Sequence, residues 1–317
     1  MNHAPVCIFV YKRLDTFEKV IESLRTNPES SESTLYIFSD AAKGEKDRES
    51  VQAVRDFARL IEGFGEVNLV ERSNNHGLAK SIIAGVSEIL ERHGRIIVLE
   101  DDLVVSNNFL AFMNQSLDKY RGNPRVWSIS GYSSQRVSQL QVKNDVFFGL
   151  RASSWGWATW KDRWERVDWA VSDFHKLNDA RLRRAFKQGG GDLVTMLKRQ
   201  RSGLIDSWAI RFCFYQFLNN AFDVVPKHSK VINLGFEESA TNTVGMESRF
   251  YTELDRTGQR DFDLPTEIFQ DEAFERAFRE PFRLNVRFKY RLKNLIRIAL
   301  THARQKMLRS NLSGLTQ

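Results

Sequence analysis

The sequence predicts an α/β protein: a mostly parallel central sheet flanked by helices, Rossmann-like, with a helical C-terminal extension. Three observations carry this. Through the first 130 residues, short apolar runs alternate with amphipathic helical segments, the pattern of βα units. Three of the four runs end in polar residues, at the strand ends where open α/β sheets bind ligands. The basic charge is gathered in one C-terminal stretch, residues 276–309, which holds eleven Lys or Arg and one Glu.

Residues 5–11 (PVCIFVY) are apolar and β-branched, as in a strand buried on both faces. Residues 15–25 follow with helical spacing, Phe17, Val20, Ile21 and Leu24 sharing a face. A second strand is expected over 35–40, an amphipathic helix over 48–63 and a third strand over 67–71. The loop 73–77 opens a helix over 78–92, and a fourth strand, 95–99, ends in Glu100-Asp101-Asp102. The second half is less regular. Strands are expected over 126–132, 146–150, 223–225 and 230–234, and helices over 176–200, broken by Gly189-Gly190-Gly191, and 207–220. Residues 236–270 read as a polar loop. The reading divides the chain into a domain over 1–240 and an extension over 241–317.

The net charge is +7, but residues 276–309 carry +10, which leaves the rest at −3. Here Leu284, Phe288, Leu292, Leu295, Ile296, Ala299, Ala303 and Met307 recur at three- and four-residue steps, flanked by Arg283, Arg287, Arg291, Lys293, Arg297, Arg304 and Lys306. Such a cationic amphipathic helix either packs on the body or lies on an anionic membrane surface. No run reaches the roughly 20 apolar residues that span a bilayer. Residues 1–5 carry neither a basic nor a long apolar region, so no secretory signal is expected. Cys7 and Cys213 are isolated, which fits a reducing compartment and gives neither a disulfide framework nor a zinc spacing. The expected location is cytoplasmic, with the basic helix peripheral on the inner membrane face. No nucleic-acid recognition motif accompanies the charge.

Adjacent carboxylates at the end of a buried strand repel one another and pay for desolvation, a cost that a hard cation removes. Mn²⁺ or Mg²⁺ with one or two carboxylates and substrate phosphates is the matching chemistry. The alternative is an acidic turn capping a helix that begins near Ser106 or Asn107. Asp206, ahead of the helix from Ser207, is either its N-cap or a general base. Trp155, Trp157 and Trp160 are either core or aromatic faces for sugar C–H surfaces.

The motifs PVCIFVYKR, FSD, VLEDD, SWGWATW and IDSW, in this order, resemble those of GT-A glycosyltransferases. The resemblance is to the group that includes the N-acetylglucosaminyltransferase initiating complex N-glycans, with related bacterial sugar transferases, and covers roughly residues 4–240. It implies that Tyr11, Arg13 and Asp40 hold the nucleotide side of the donor. Glu100 and Asp101 would touch sugar and ribose, Asp102 would bind metal in a DxD-type motif, and Ser229 would meet the diphosphate. Trp155, Gly156, Trp157 and Trp208 would line the sugar and acceptor pocket, with Asp206 as catalytic base. The chain departs from the pattern at Ser207, where the family has a second Asp, and at Val225, where it has a basic residue; Lys227 follows instead.

The expected activity is metal-dependent transfer of a sugar from a nucleotide diphosphate sugar to a hydroxyl of a glycan or lipid-linked glycan, with inversion, as in polysaccharide biosynthesis. Two alternatives stand beside it. One is a sugar nucleotidyltransferase, although YKRLD occupies the place of its usual Gly-rich loop. The other is a non-catalytic nucleotide- or glycan-binding protein of the same fold.

Overall fold

The computed structural model describes residues 3–236 and 249–296. In the first half β1 (Val6–Val10), β2 (Thr34–Ser39), β3 (Glu66–Glu71) and β4 (Arg95–Glu100) alternate with α1 (Leu14–Arg25), α2 (Arg48–Arg59) and α3 (Leu78–His93). β1 is buried along its whole length and β4 everywhere but its two ends, as unbroken apolar runs require in a sheet covered on both faces. α1 buries Phe17, Val20, Ile21 and Leu24, the stripe its spacing predicts.

The chain continues through β5 (Leu103–Val105), α4 (Phe109–Tyr120), β6 (Val126–Ser130), α5 (Gln135–Ser138) and β7 (Val146–Gly149). β8 (Trp157–Trp160), α6 (Lys161–Trp164), α7 (Ala180–Phe186), α8 (Leu193–Arg201) and α9 (Trp208–Leu218) follow, then β9 (Phe222–Pro226), β10 (Val231–Asn233) and α10 (Glu272–Arg279).

Eight strands form one sheet in the order β3-β2-β1-β4-β8-β6-β9-β7. β3, β2, β1 and β4 run parallel, and β9 runs parallel to β6. β8 is antiparallel to both β4 and β6, and β7 is antiparallel to β9. The fold is therefore the mixed α/β, mostly parallel architecture that the sequence predicts. After β1 the chain builds outward to β2 and β3 and then returns to place β4 on the other side of β1. This reversal opens a crevice beyond the C-terminal ends of β1 and β4, the usual ligand position in such sheets.

One face of the sheet packs on α1, α2 and α4 through Phe17, Val54, Phe112 and Met113. The other packs on α3, α6, α8 and α9 through Ile82, Val86, Trp164, Leu197, Trp208 and Phe212. β8 belongs to both: Trp157 points to the second cluster, Ala158 and Trp160 to the first. Trp157, which the resemblance placed in the sugar and acceptor pocket, thus belongs to a strand in the middle of the sheet.

Residues 249–271 contain neither helix nor strand, as the polar pattern of that region predicts. They are nonetheless fastened to the main body. Phe250, Phe262, Leu264, Ile268 and Phe269 pack against the first core cluster. Asp255 forms a buried ion pair with Lys230 and accepts Asn108 Nδ2 at 3.0 Å. Residues 284–296 are helical. Ala299, Ala303, Met307, Arg297, Arg304 and Lys306 lie outside the described residues.

Candidate active site

The crevice between β1 and β4 collects the acidic motif. Phe9 is the register partner of Glu100, so Tyr11, Lys12 and Arg13 leave β1 facing Asp101 and Asp102. The Arg13 guanidinium spans both carboxylates: Nη2 donates to Asp101 Oδ1, and Nη1 lies 3.0 Å from Asp102 Oδ2. The Tyr11 amide donates to Asp101 Oδ2 at 3.2 Å. The Tyr11 hydroxyl donates to Asp47 Oδ2 at 2.9 Å and accepts the Lys43 amide at 2.8 Å, and Lys12 Nζ reaches Asp47 Oδ1 at 2.8 Å. These bonds clamp the loop 41–47 beside the acidic motif.

Three carboxylates in one buried place carry a price in their protonation. Desolvation, then the charges of Asp102 and Asp101, pushes the Glu100 carboxyl up to about 8. Desolvation also raises Asp101 to about 6, against the pull of Arg13. Asp102 Oδ1 is buried and accepts no hydrogen bond among the described residues. A carboxylate oxygen in that state costs free energy unless a cation or donor reaches it.

Gly235 packs against Asp102 with no room for a side chain. A Cβ there would come within 3.0 Å of Asp102 Oδ2 and 2.9 Å of Asn233 Oδ1. β10 holds both neighbours in place: Asn233 pairs with Leu103 across the small sheet, and the Leu234 amide donates to the Asp102 carbonyl at 2.9 Å. The donor set is all oxygen, which suits Mn²⁺ or Mg²⁺. Among the described residues no three His, Cys, Asp or Glu side chains converge on one metal position. The residues fit a cation that Asp102 would hold.

β8 links this crevice to the second half of the site. Trp157 pairs with Val98, so residues 153–156 stand beyond the same end of β4. Gly156, at φ +59°, has no room for a side chain: a Cβ would lie 2.7 Å from Val231 Cγ1 and 3.2 Å from Leu99 Cδ2. The turn it permits throws Trp155 outward. Trp155 is partly buried, edge-on to Tyr132 at 4.7 Å between ring centroids. It borders a cavity whose wall also includes Ser207 and Ile210 from the start of α9.

Ser207, not Asp206, caps α9; its Oγ accepts the Ile210 amide at 3.4 Å. Asp206 is thereby free of the capping role. Its carboxylate is half exposed and receives one N–H from Arg211 Nη2 at 2.8 Å.

Tyr11, Arg13, Glu100, Asp101 and Asp102 are thus gathered at the switch point; Trp155 stands beyond the same end of β4, and Asp206 directly precedes α9, where it pairs with Arg211. The remaining expected residues have other surroundings. Asp40 accepts the amides of Ala41, His76 and Gly77 at 2.8–3.1 Å, which fixes the loop before α3 and fills its acceptor sites. Ser229 is fully buried, its hydroxyl donating to the Val231 carbonyl at 2.8 Å and accepting the Ser133 amide at 3.2 Å. Trp157 and Trp208 stack on each other at 4.5 Å inside the second core cluster, so both are packing residues. Asn233 and Gly235 were not singled out in the sequence; within VINLG nothing local marks them as neighbours of Asp102.

No known protein family matches the chain. No curated protein matches it. Among solved structures the chain is similar to the mannosyltransferase PcManGT from Pyrobaculum calidifontis in complex with GDP-Man and Mn²⁺. The TM-score is 0.38 at 14% identity, over 52% of this chain and 47% of that one. It is similar to S. aureus TarS at TM-score 0.38 and 11% identity, over 70% of this chain and 35% of that one. It is also similar to the galactosyltransferase LgtC in complex with donor and acceptor sugar analogues, at TM-score 0.34 and 10% identity, over 67% and 70%. The chain spans about half the length of the mannosyltransferase and about a third of TarS.

Proposed function

We propose that this chain is a metal-dependent, nucleotide-sugar glycosyltransferase of the GT-A type, with its donor site at the β1–β4 switch point. The observation that carries the reading is Asp102 Oδ1, buried without a hydrogen-bond partner among the described residues at the end of the acidic motif. A buried, unsatisfied carboxylate oxygen persists where a ligand supplies the missing interaction. Bound there, Mn²⁺ or Mg²⁺ supplies charge neutralisation for the leaving nucleoside diphosphate. Arg13, held by Asp101 and Asp102, adds a second positive charge at the same place. Tyr11 and Asp47 shape the nucleotide side. Asp206 takes the proton from the acceptor hydroxyl, Trp155 offers an aromatic face to the sugar, and one base with in-line displacement gives inversion.

A thermal-shift panel of UDP-, GDP-, dTDP- and CMP-sugars, with and without Mn²⁺, tests this reading. At a ligand concentration near 100 times Kd, one nucleotide class should stabilise the fold by about 2.7 kcal/mol, and only with Mn²⁺ present. No stabilisation by any of them, or an equal shift in chelator, contradicts it.

The proposal extends to a membrane surface. On the helical residues 284–296, Leu284, Phe288, Leu292, Leu295 and Ile296 are all exposed, 49–78%. Arg283, Arg287, Lys289, Arg291 and Lys293 accompany them. None of the described helices is long and apolar enough to cross a membrane. An exposed apolar stripe edged by cations suits the headgroup boundary of an anionic leaflet, each Lys or Arg there adding about 1 kcal/mol. The protein should co-sediment with vesicles containing phosphatidylserine and be released as salt rises. Equal binding to neutral vesicles, or none to either, removes the membrane from the account.

A further inference from the structure

A cavity of about 290 Å³ lies between α8, α9 and the segment around residue 250, on the α9 side of Trp155. Most of its wall is apolar, with Leu193, Met196, Ile210, Trp155, Phe250 and Phe282, while Arg151, Ser134, Ser153, Ser154 and Ser207 add polar groups. The volume is at the lower end of the roughly 300–1,000 Å³ of small-molecule sites.

Positive charge is built into the edge of this apolar space. The Arg151 guanidinium sits 3.9 Å over the Phe282 ring and bonds Asp192 at 2.8 and 3.3 Å. Arg249 sits over the Phe250 ring at 4.7 Å, and its Nε is buried with no hydrogen-bond partner among the described residues. Its pKa is lowered by desolvation first and then by the positive charge of Arg287, with Arg151 contributing further; Asp192 is the carboxylate that opposes them. Arg151 is thus paired with Asp192, while the Arg249 Nε has no hydrogen-bond partner among the described residues. Apolar walls beside surplus guanidinium charge suit a ligand with an alkyl chain and an anionic head.

We infer that this cavity binds the apolar chain of an amphiphilic phosphate, its phosphate held by Arg249, and that such a phosphate-linked lipid carries the acceptor sugar. The acceptor half of this inference rests on the glycosyltransferase reading; the binding half does not. The wall residue Phe282 lies directly before the helical residues 284–296, whose apolar side chains are exposed. A lipid resting on that helix would reach the cavity without passing through water. The start of α9, with Asp206 ahead of it, borders the same cavity through Ser207 and Ile210. A sugar on the phosphate would then be carried toward the candidate base.

The test uses the full chain without nucleotide or metal, so failure here is separable from failure of the donor site. Decyl phosphate below its micellar concentration is titrated while tryptophan fluorescence is followed, with 1-decanol and inorganic phosphate in parallel. Decyl phosphate should bind saturably and at least about 10-fold more tightly than either fragment, the scale of one charge-assisted bond. Met196→Trp, which fills the cavity, should abolish binding. Arg249→Gln should weaken it roughly 10-fold while leaving the unfolding midpoint unchanged, which keeps the test informative if the Trp variant does not fold. Absence of saturable binding, as when another part of the chain fills the cavity, overturns the inference. Equal affinity for decanol, equal affinity for inorganic phosphate, or no effect of Arg249→Gln also overturns it.

Discussion

Asp206→Asn is expected to lower turnover by about 100-fold or more while donor affinity stays nearly unchanged, the usual scale for a lost acid–base group. Two features of the structure make this variant informative. Ser207 provides the cap of α9, so the amide at 206 does not uncap the helix. The side chain is 54% exposed, and the amide oxygen of Asn can still accept the N–H of Arg211. The unfolding midpoint should therefore move little. Single-turnover measurements with saturating donor would separate the two roles. A loss of rate with an unchanged midpoint supports the base; a loss of stability with an unchanged rate assigns Asp206 to structure instead.

Asp102→Ala should have the larger effect on activity. If the carboxylate holds the cation that neutralises the leaving diphosphate, several kcal/mol of transition-state stabilisation disappear with it, or about 1,000-fold or more in rate. The fold should survive. The bond from the Leu234 amide to the Asp102 carbonyl is backbone and remains, and Asp101 keeps its own bond to Arg13. Removal of a buried oxygen without a partner also relieves a cost. The metal-free midpoint should thus stay the same or rise even as activity is lost, the opposite of what a structural residue would show. Chemical denaturation beside a donor-hydrolysis assay checks both halves. An active variant, or an inactive one that is also strongly destabilised, counts against the assignment.

The sequence made the first half of this fold legible because β1, β2 and β4 are buried on both faces and the helices on one. β1, β4 and α1 need only local pattern to be read. β8 was not legible for the same reason β4 was. In WATW both faces are apolar, since Trp157 meets one core cluster and Trp160 the other, so the period of two is hidden. Core and aromatic binding face then read alike in these four residues. The irregular region 249–271 has no periodicity, and its attachment depends on partners far along the chain: Asp255 with Lys230, Phe262 edge-on to Phe112.

The candidate site divides in the same way. Glu100, Asp101 and Asp102 were visible because three carboxylates after an apolar strand are costly without a reason. Asp40 looked equivalent at the end of β2, yet amides at 76 and 77 use its carboxylate, a pairing that local sequence does not encode. Ser229 is sealed between β10 and residue 133 by contacts across the fold. The choice between Asp206 and Ser207 as helix cap depended on one backbone dihedral pair, φ −134° and ψ 110° at Ser207. Arg249 and Arg151 gave no signal at all, because their meeting beside one cavity is made by tertiary packing.

The claim on which the account rests is that Asp102 binds a divalent cation together with a nucleoside diphosphate. Electron paramagnetic resonance of Mn²⁺ titrated into the protein, with and without UDP or GDP, measures this directly, because the six-line signal of free Mn²⁺ is lost on binding. The account predicts stoichiometric loss of the free signal when one nucleoside diphosphate is present, and none beyond that of the Mn²⁺–nucleotide complex itself in Asp102→Ala. Equal Mn²⁺ binding by the wild type and Asp102→Ala, or none by the wild type with any nucleoside diphosphate, would contradict it.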